Sequence, residues 1–358
     1  MDGYAVRTTD LSTDVVELQV LETISAGEVP ARSLGAGQTI QIMTGAPLPQ
    51  AADAVIPVER SQREPGTDRV TLQTSGITAG KNLIRAGTIL RAGETILQEG
   101  TRLRPEEIAL LAEMGRADVE VTSRPNVSIL ATGDELVPPG QPLEPGQIRN
   151  SNAPMLTAQV EQTGGEALNQ GIGRDRLEEL HEKVSAGLES DFLLLSGGVS
   201  AGEKDLVPQV LTECGVTQVF HKVRVKPGKP LWFGVLEKPD EPMTYVFGLP
   251  GNPVSSMLCF ELFVRPAIRQ FLGVSPALPT MVTVPLGKAH VARGDRPTYY
   301  PARVGWRDGG PVVDPVDWKG SSDLLAPTRA NAWALFPAGD REYSAGENIE
   351  VLAEQFQT

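Results

Sequence analysis

Between residues 14 and 100, apolar positions come in short runs broken by Gly, Pro and polar residues, and this pattern predicts β-strands at 15–20, 39–43, 54–58, 69–73 and 94–97. The rhythm changes at Pro105. Proline at a first helical position, Glu106 and Glu107 in the first turn, an apolar set of Ile108, Leu110, Leu111 and Met114, and Gly115 at the end predict a short helix. From 125 to 273 the two kinds of pattern alternate, with strands at 127–130, 166–170, 192–195 and 245–248 and helices at 154–162, 176–188, 206–213 and 254–271. Such alternation lays helices on both faces of a parallel sheet, where ligands bind at the junctions of strand C-termini and helix N-termini. After Pro276 short strands return at 280–284, 299–304, 332–336 and 348–352. The expected architecture is multidomain, α/β plus β: an N-terminal β-rich module with a short helical segment (1–122), a central α/β parallel-sheet domain (125–273) and a small C-terminal β-barrel (278–358).

Charge narrows the range of partners. The 358 residues carry 32 Lys and Arg against 45 Asp and Glu, a net −13, which argues against a general affinity for nucleic acid or an anionic membrane surface. An anionic ligand must therefore find a local basic patch. The chain has neither the ~18 consecutive apolar residues of a spanning helix nor the layout of a signal peptide, so a cytoplasmic location is expected. Cys214 and Cys259 each sit in an apolar helical pattern and read as buried structural residues. His181, His221 and His290 are far apart and lack metal-ligand spacing, so an expected metal is Mg²⁺ on carboxylates and phosphate.

Chemistry concentrates at the strand ends of the central region. Phe192-Leu-Leu-Leu-Ser196-Gly197-Gly198-Val199-Ser200 runs from a strand into a glycine-rich turn and on to Asp205 at a helix start. Backbone N–H groups in such a turn can cradle an anion, and Asp205 can hold Mg²⁺ or orient water; glycine in a tight turn is also compatible with steric need alone. Thr132-Gly133-Asp134-Glu135-Leu136 places two carboxylates at a second strand end, a costly arrangement beside an anion unless they bind metal or divide acid and base roles. Lys222, Arg224, Lys226 and Lys229 gather positive charge within eight positions, and Lys226-Pro227-Gly228-Lys229-Pro230 stiffens two ammonium groups into an oxyanion seat; a solvated face is the plainer alternative. Gly248-Leu-Pro250-Gly251-Asn252-Pro253-Val254-Ser255 is another strand-turn-helix junction, with Ser255 at the helix start. Gly198-Val199-Ser200-Ala201-Gly202 also fits a serine-hydrolase nucleophile elbow, for which only His221 and His290 lie downstream and no HGGG-type segment lies upstream.

These segments, with Met1-Asp2-Gly3-Tyr4-Ala5-Val6 and Ile42-Met43-Thr44-Gly45-Ala46-Pro47, occur in one order over essentially the whole chain. In that order they resemble the molybdopterin molybdenumtransferase family, the MoeA type, which includes the E domain of gephyrin. The resemblance implies a homodimer that inserts molybdate into the dithiolene of adenylylated molybdopterin, hydrolysing the adenylate and releasing AMP, with a molybdopterin adenylyltransferase as a partner. It implies that the central α/β domain binds molybdopterin. Residue by residue it implies that Asp2, Glu135 and Asp205 serve metal binding and water activation, with Mg²⁺ on Glu135 and Asp205. Lys226, Lys229 and Ser255 match positions that hold molybdate or the pterin phosphate, and Arg303 and Ser321 match further molybdate contacts. Thr44 contributes across the dimer, and Gly197, Gly198, Ser200, Pro250 and Asn252 complete the implied substrate-binding set. The family carries a few tens of residues before the Asp-Gly-Tyr motif, so the N-terminal region reads as truncated. The alternatives are a serine hydrolase acting through Ser200 and a non-catalytic, gephyrin-like scaffold.

Overall fold

The structure is a computed structural model that describes residues 1–198, 206–239, 242–307 and 309–352. The chain divides into two compact units, Met1–Ile96 and Leu97–Thr358. The first is built on one six-stranded sheet in the order β4-β1-β3-β2-β6-β5. Its strands are β1 (Gly3–Val6), β2 (Val15–Ile24), β3 (Gln38–Ile42), β4 (Ala54–Pro57), β5 (Ser61–Gln62) and β6 (Arg69–Gln73). Alternation sends Tyr4 and Val6 of β1 into one core with Leu18, Ile56 and Leu72, and Ala5 into another with Ile24, Ile40 and Val55. A methyl group on Gly3 would collide with the carbonyl of Ile56, so glycine is required where β1 meets β4. The expected strand at 94–97 does not form; that stretch is turns and irregular chain.

The second unit opens with α1 (Pro105–Glu113), where Pro105 is the first residue and the Glu107 carboxylate accepts from the Arg104 N–H at 2.9 Å. The central sheet has the order β10-β7-β11-β14-β13-β12. Before it closes, the chain passes through β7 (Asn126–Thr132), the short pair β8 (Leu136–Val137) and β9 (Ile148–Arg149), α2 (Asn152–Thr163), β10 (Glu166–Gly173), α3 (Leu177–Gly187), β11 (Phe192–Ser196) and α4 (Val207–Glu213). It continues through β12 (Thr217–His221), β13 (Trp232–Leu236), β14 (Thr244–Leu249) and α5 (Pro253–Cys259). Four strands pair in parallel, as the alternation predicted, while β13 and β12 extend the sheet antiparallel beyond β14. The continuous Phe192–Leu195 run is explained by burial on both faces. Phe192 and Leu194 pack under α2 and α5 with Leu156, Val160 and Cys259, whereas Leu193 and Leu195 pack under α3 and α4 with Leu180, Val184 and Val210.

The helix expected at 254–271 is interrupted. After α5 a π turn spans Phe260–Val264 before α6 (Arg265–Phe271). Buried Glu261 pairs there with Arg265 at 2.6 Å and accepts from Gln159 of α2 at 2.7 Å. The closing region contains β15 (Met281–Pro285), β16 (His290–Ala292), β17 (Thr298–Arg307), β18 (Gly310–Pro315), α7 (Leu325–Arg329), β19 (Ala332–Phe336), β20 (Arg341–Tyr343) and β21 (Asn348–Leu352). Its five-stranded sheet, β15-β21-β19-β17-β18, curls until its edges touch at the single Leu286–Val313 bridge. One bridging pair leaves the small barrel only partly closed, a curled half-barrel with Ala302, Ala334, Phe336 and Val351 in its core.

Candidate functional site

Three neighbouring parallel strands, β7, β11 and β14, end together, because Ser196 is in register with Ala131 on one side and Leu249 on the other. The turns that follow hold Glu135, Gly197 with Gly198, and Pro250 with Asn252. They are bound to one another. The Gly197 N–H donates to the Leu249 carbonyl at 3.1 Å, and the Asn152 side-chain amide donates to Ser196 Oγ at 2.7 Å and the Gly251 carbonyl at 2.8 Å. Gly197 has φ +96°, and an added Cβ would lie 2.6 Å from the Thr132 carbonyl oxygen. Thr132 Oγ1 and Asn152 Oδ1 are buried at this edge without a hydrogen-bond partner among the described residues. Both call for a partner that the described residues do not supply, a water or a polar ligand at this edge.

The turn after β7 is braced from β10's end. Arg174 Nη1 donates to the carbonyls of Gly133, Asp134 and Leu136 at 3.3, 2.9 and 2.9 Å, and Asp134 accepts from the Asp175 N–H at 3.2 Å. Glu135 is left exposed, its carboxylate folded over Gly133. An exposed carboxylate of this kind can serve Mg²⁺, which binds one or two carboxylates with phosphate and water as the remaining ligands. Among the described residues no three His, Cys, Asp or Glu side chains converge as a ready-made metal cage.

A cleft of about 570 Å³ opens beside these turns, lined by Lys226, Pro227, Gly228, Lys229 and Pro230, by Asn252 and Ser255, and by Arg296, Tyr300, Trp318, Gly320 and Ser321. Its floor is assembled from distant segments. Lys226 bridges Thr298, its N–H donating to the Pro297 carbonyl at 2.9 Å and its carbonyl accepting from the Tyr299 N–H at 2.8 Å. The Val254 N–H at the start of α5 donates to the Ser321 carbonyl at 3.0 Å. Asp323 accepts from the Lys319, Leu325 and Ala326 N–H groups, which holds its carboxyl below the usual range and fixes the Gly320–Ser321 wall. Cys259 packs behind the lysine loop, 3.6 Å from the Gly228 carbonyl, and burial pushes its thiol up to about 12, so it stays protonated. The cleft carries three cations, and the adjacent Asp295 is held ionised by its bond to Arg296.

The sequence-derived residues fall into distinct places. Lys226, Lys229, Asn252, Ser255 and Ser321 meet in the cleft, and Gly197, Gly198, Pro250 and Glu135 stand at the strand ends next to it. Ser200 and Asp205 lie outside the described residues. Asp2 and Thr44 meet each other in the first unit: the Thr44 N–H and hydroxyl both donate to Asp2 Oδ1, at 2.7 and 2.8 Å, and lower its carboxyl from the ordinary value. Arg303 is exposed on β17 and does not line the cleft. Sequence reasoning missed Arg296, Tyr300 and Trp318 in the cleft and Asn152, Thr132 and Arg174 at the strand ends. The turn Gly294-Asp295-Arg296-Pro297, a basic residue in a Gly/Pro bend leading into a strand, was the available signal for Arg296.

The two histidines downstream of the glycine-rich turn sit in different sheets. His221 ends β12, the sheet edge, three strands from β11 and so about 14 Å away. His290 is enclosed by the rings of Phe336 and Tyr300, at 4.4 and 4.8 Å, and burial, aided by Lys288, lowers its pKa.

A strand-end edge rich in glycine and acid, joined to a cationic cleft, describes an enzyme-like site for an anionic, phosphate-bearing ligand. Known proteins carry the same assembly. The chain matches the MoeA N-terminal region (domain I and II) over residues 1–115, a probable molybdopterin binding domain over 128–270 and the MoeA C-terminal region (domain IV) over 283–353. It is 35% identical to a molybdopterin molybdenumtransferase of Bacillus subtilis, covering 98% of this chain and 82% of that one. It is 36% identical to one from Nostoc sp., covering 98% and 81%. The crystal structure of the molybdopterin biosynthesis protein MoeA of Pyrococcus horikoshii superimposes with a TM-score of 0.79 at 29% identity, covering 98% of this chain and 86% of that one. The chain belongs to the molybdopterin molybdenumtransferase family.

Proposed function

We propose that this protein is a molybdopterin molybdenumtransferase of molybdenum cofactor biosynthesis, which inserts molybdate into the dithiolene of adenylylated molybdopterin while the adenylate is hydrolysed and AMP leaves. The observation that carries this reading is the convergence of Lys226, Lys229, Arg296, Ser255 and Ser321 on one cleft in a chain of net charge −13. Lysine and arginine supply charge there, hydroxyls and backbone N–H groups supply directed hydrogen bonds, and an oxyanion is the ligand that uses both. The strand ends beside the cleft take the phosphate-bearing part of the substrate through the Gly197–Gly198 turn. Glu135 and Asp205 are assigned to Mg²⁺, which neutralises phosphate charge when bound. Asp2, kept ionised by Thr44, is assigned to the same chemistry.

The working protein is a homodimer in the cytoplasm, supplied by a molybdopterin adenylyltransferase. No helix among the described residues is long and apolar enough to cross a membrane. The test is release of AMP from adenylylated molybdopterin in the presence of molybdate and Mg²⁺, comparing the chain with Asp205→Asn. Molybdate-dependent release that collapses in the variant is expected. Equal rates in both, or no release from either, would remove the reading and turn attention to a scaffold role.

A further inference from the structure

We infer that Gln159, Glu261 and Arg265 form an internal clamp that sets the register of α2 against α5 and, through α5, positions Ser255 for the ligand; this rests on the molybdenumtransferase reading. The clamp sits where the same elements contribute Leu156, Val160, Phe260 and Val264 to the apolar layer under the sheet. Glu261 is 2% exposed and Gln159 8%. The Arg265 guanidinium donates to both oxygens of Glu261, from Nε to Oε2 at 2.6 Å and from Nη2 to Oε1 at 2.8 Å. From α2, the Gln159 amide donates to the same carboxylate at 2.7 Å and to the Met257 carbonyl of α5 at 3.3 Å. Those two acceptors flank the entry to the π turn, in which the Arg265 N–H reaches back five residues to the Phe260 carbonyl. Such turns recur at functional sites.

Stability does not account for this cluster. A buried ion pair is commonly no better than apolar side chains of similar volume, because both charges lose their water. The cluster is also incomplete: with its NH2 group turned to Glu261 and Met257, Gln159 leaves its own Oε1 buried without a partner among the described residues. What polar bonds supply, and apolar contact does not, is direction. Leu156, Val160 and Phe260 would tolerate a slide of one helix along the other, whereas a forked ion pair and an amide bonded at two points admit one register.

Both helices begin at the site. Asn152, the first residue of α2, donates to the Gly251 carbonyl just before α5 at 2.8 Å, and Ser255 in the first turn of α5 lines the cleft. Gln159 lies seven residues beyond Asn152, about 10 Å along α2, so the two helices are tied at two levels, once at the strand ends and once in the interior. One tie is a pivot, and two define an angle. Ser255 falls between the levels, six residues before Glu261. The interior tie therefore fixes the direction in which α5 presents the Ser255 hydroxyl. Gln159, Glu261 and Arg265 do not line the cleft and act as positioning residues.

The experiment measures urea unfolding and the kinetics of molybdate-dependent AMP release for the full chain and for variants that leave no buried charge unpaired. Gln159→Leu cuts the tie to α2 and keeps the Glu261–Arg265 pair, and the triple variant Gln159→Leu, Glu261→Met, Arg265→Met makes the whole cluster apolar. The unfolding midpoint should stay near the wild-type value in the first and at or above it in the second. The KM for molybdate should nevertheless rise about 10-fold in both, as Ser255 loses its aim, while the KM for adenylylated molybdopterin changes less than about twofold. Adding Gln159→Leu to Ser255→Ala should bring little further loss, because both changes remove one contact. An unchanged KM for molybdate in both variants, or losses that add in full to that of Ser255→Ala, overturns the inference while wild-type turnover leaves the functional reading standing. A lowered midpoint with both KM values raised alike also overturns it, since that is the mark of a weakened fold. A wild type that releases no AMP sinks the functional reading itself, and the inference with it.

Discussion

The lysine loop at 226–230 and the turns after β7 and β11 share one rim of the central sheet, and they are held in place from different directions. The loop is held from outside its domain: the main chain of Lys226 bonds to Pro297 and Tyr299, and the wall facing it is tied to α5 through Ser321. The turns are held from within, by Gly197 against the Thr132 carbonyl and by Arg174 under the carbonyls of Gly133, Asp134 and Leu136. In the loop, backbone bonds carry the structure and side chains are left to the ligand. In the turns, the absence of a side chain is itself the structural element, so shape and chemistry cannot be varied separately.

The largest effect that would break this contrast lies in the turns. Gly197→Ala should cost about 3 kcal/mol in urea unfolding, through a left-handed backbone and a 2.6 Å clash with the Thr132 oxygen, and AMP release should fall with it. A variant as stable as wild type would mean that the turn is not fixed as described. Next comes Lys226→Ala, which should weaken molybdate binding about 10- to 100-fold and leave the unfolding midpoint nearly unchanged. If stability fell as far as it does in Gly197→Ala, the lysine would be part of the scaffold and the distinction would fail.

The smallest effect concerns acid in the first unit. Asp2 lies below its ordinary 3.8 because the Thr44 N–H and then its hydroxyl bond the carboxylate. A depressed carboxyl favours the folded pairing fully above its unfolded value and loses that contribution as pH falls through the native one. Thr44→Val removes the hydroxyl and keeps the N–H, so the native value should rise part of the way towards 3.8, seen by carbon-detected NMR titration. A titration curve that does not move would show that the hydroxyl bond is absent in solution.

Much of the fold was legible because its signals are local. Pro105 with Glu107 and Gly115 bracket a helix within eleven residues, and the Phe192–Leu195 run is apolar because both faces are covered. What escaped depends on partners remote in sequence. β1 is only four residues long and exists because β3 and β4 flank it, 35 and more residues away. β12 and β13 flank the basic 222–229 segment, and their antiparallel place in the sheet is set by the edge that β14 offers. Conversely, 94–97 has a strand-like composition and no neighbour to complete it. The site divides in the same way. Lys226, Lys229 and Ser255 announce themselves in proline- and glycine-marked turns, whereas Arg296 becomes a cleft residue only when Thr298 bridges Lys226.

That bridge bears on modularity. Cutting the chain after Gly273 would leave the central sheet and its two apolar faces intact, but would strip the Lys226 N–H and carbonyl and the Val254 N–H of their partners. It would also take away the arginine, both aromatic walls and Ser321. The oxyanion seat is therefore a joint product of two folds, and a free-standing copy of the central sheet would need to invent another way to hold its lysines still.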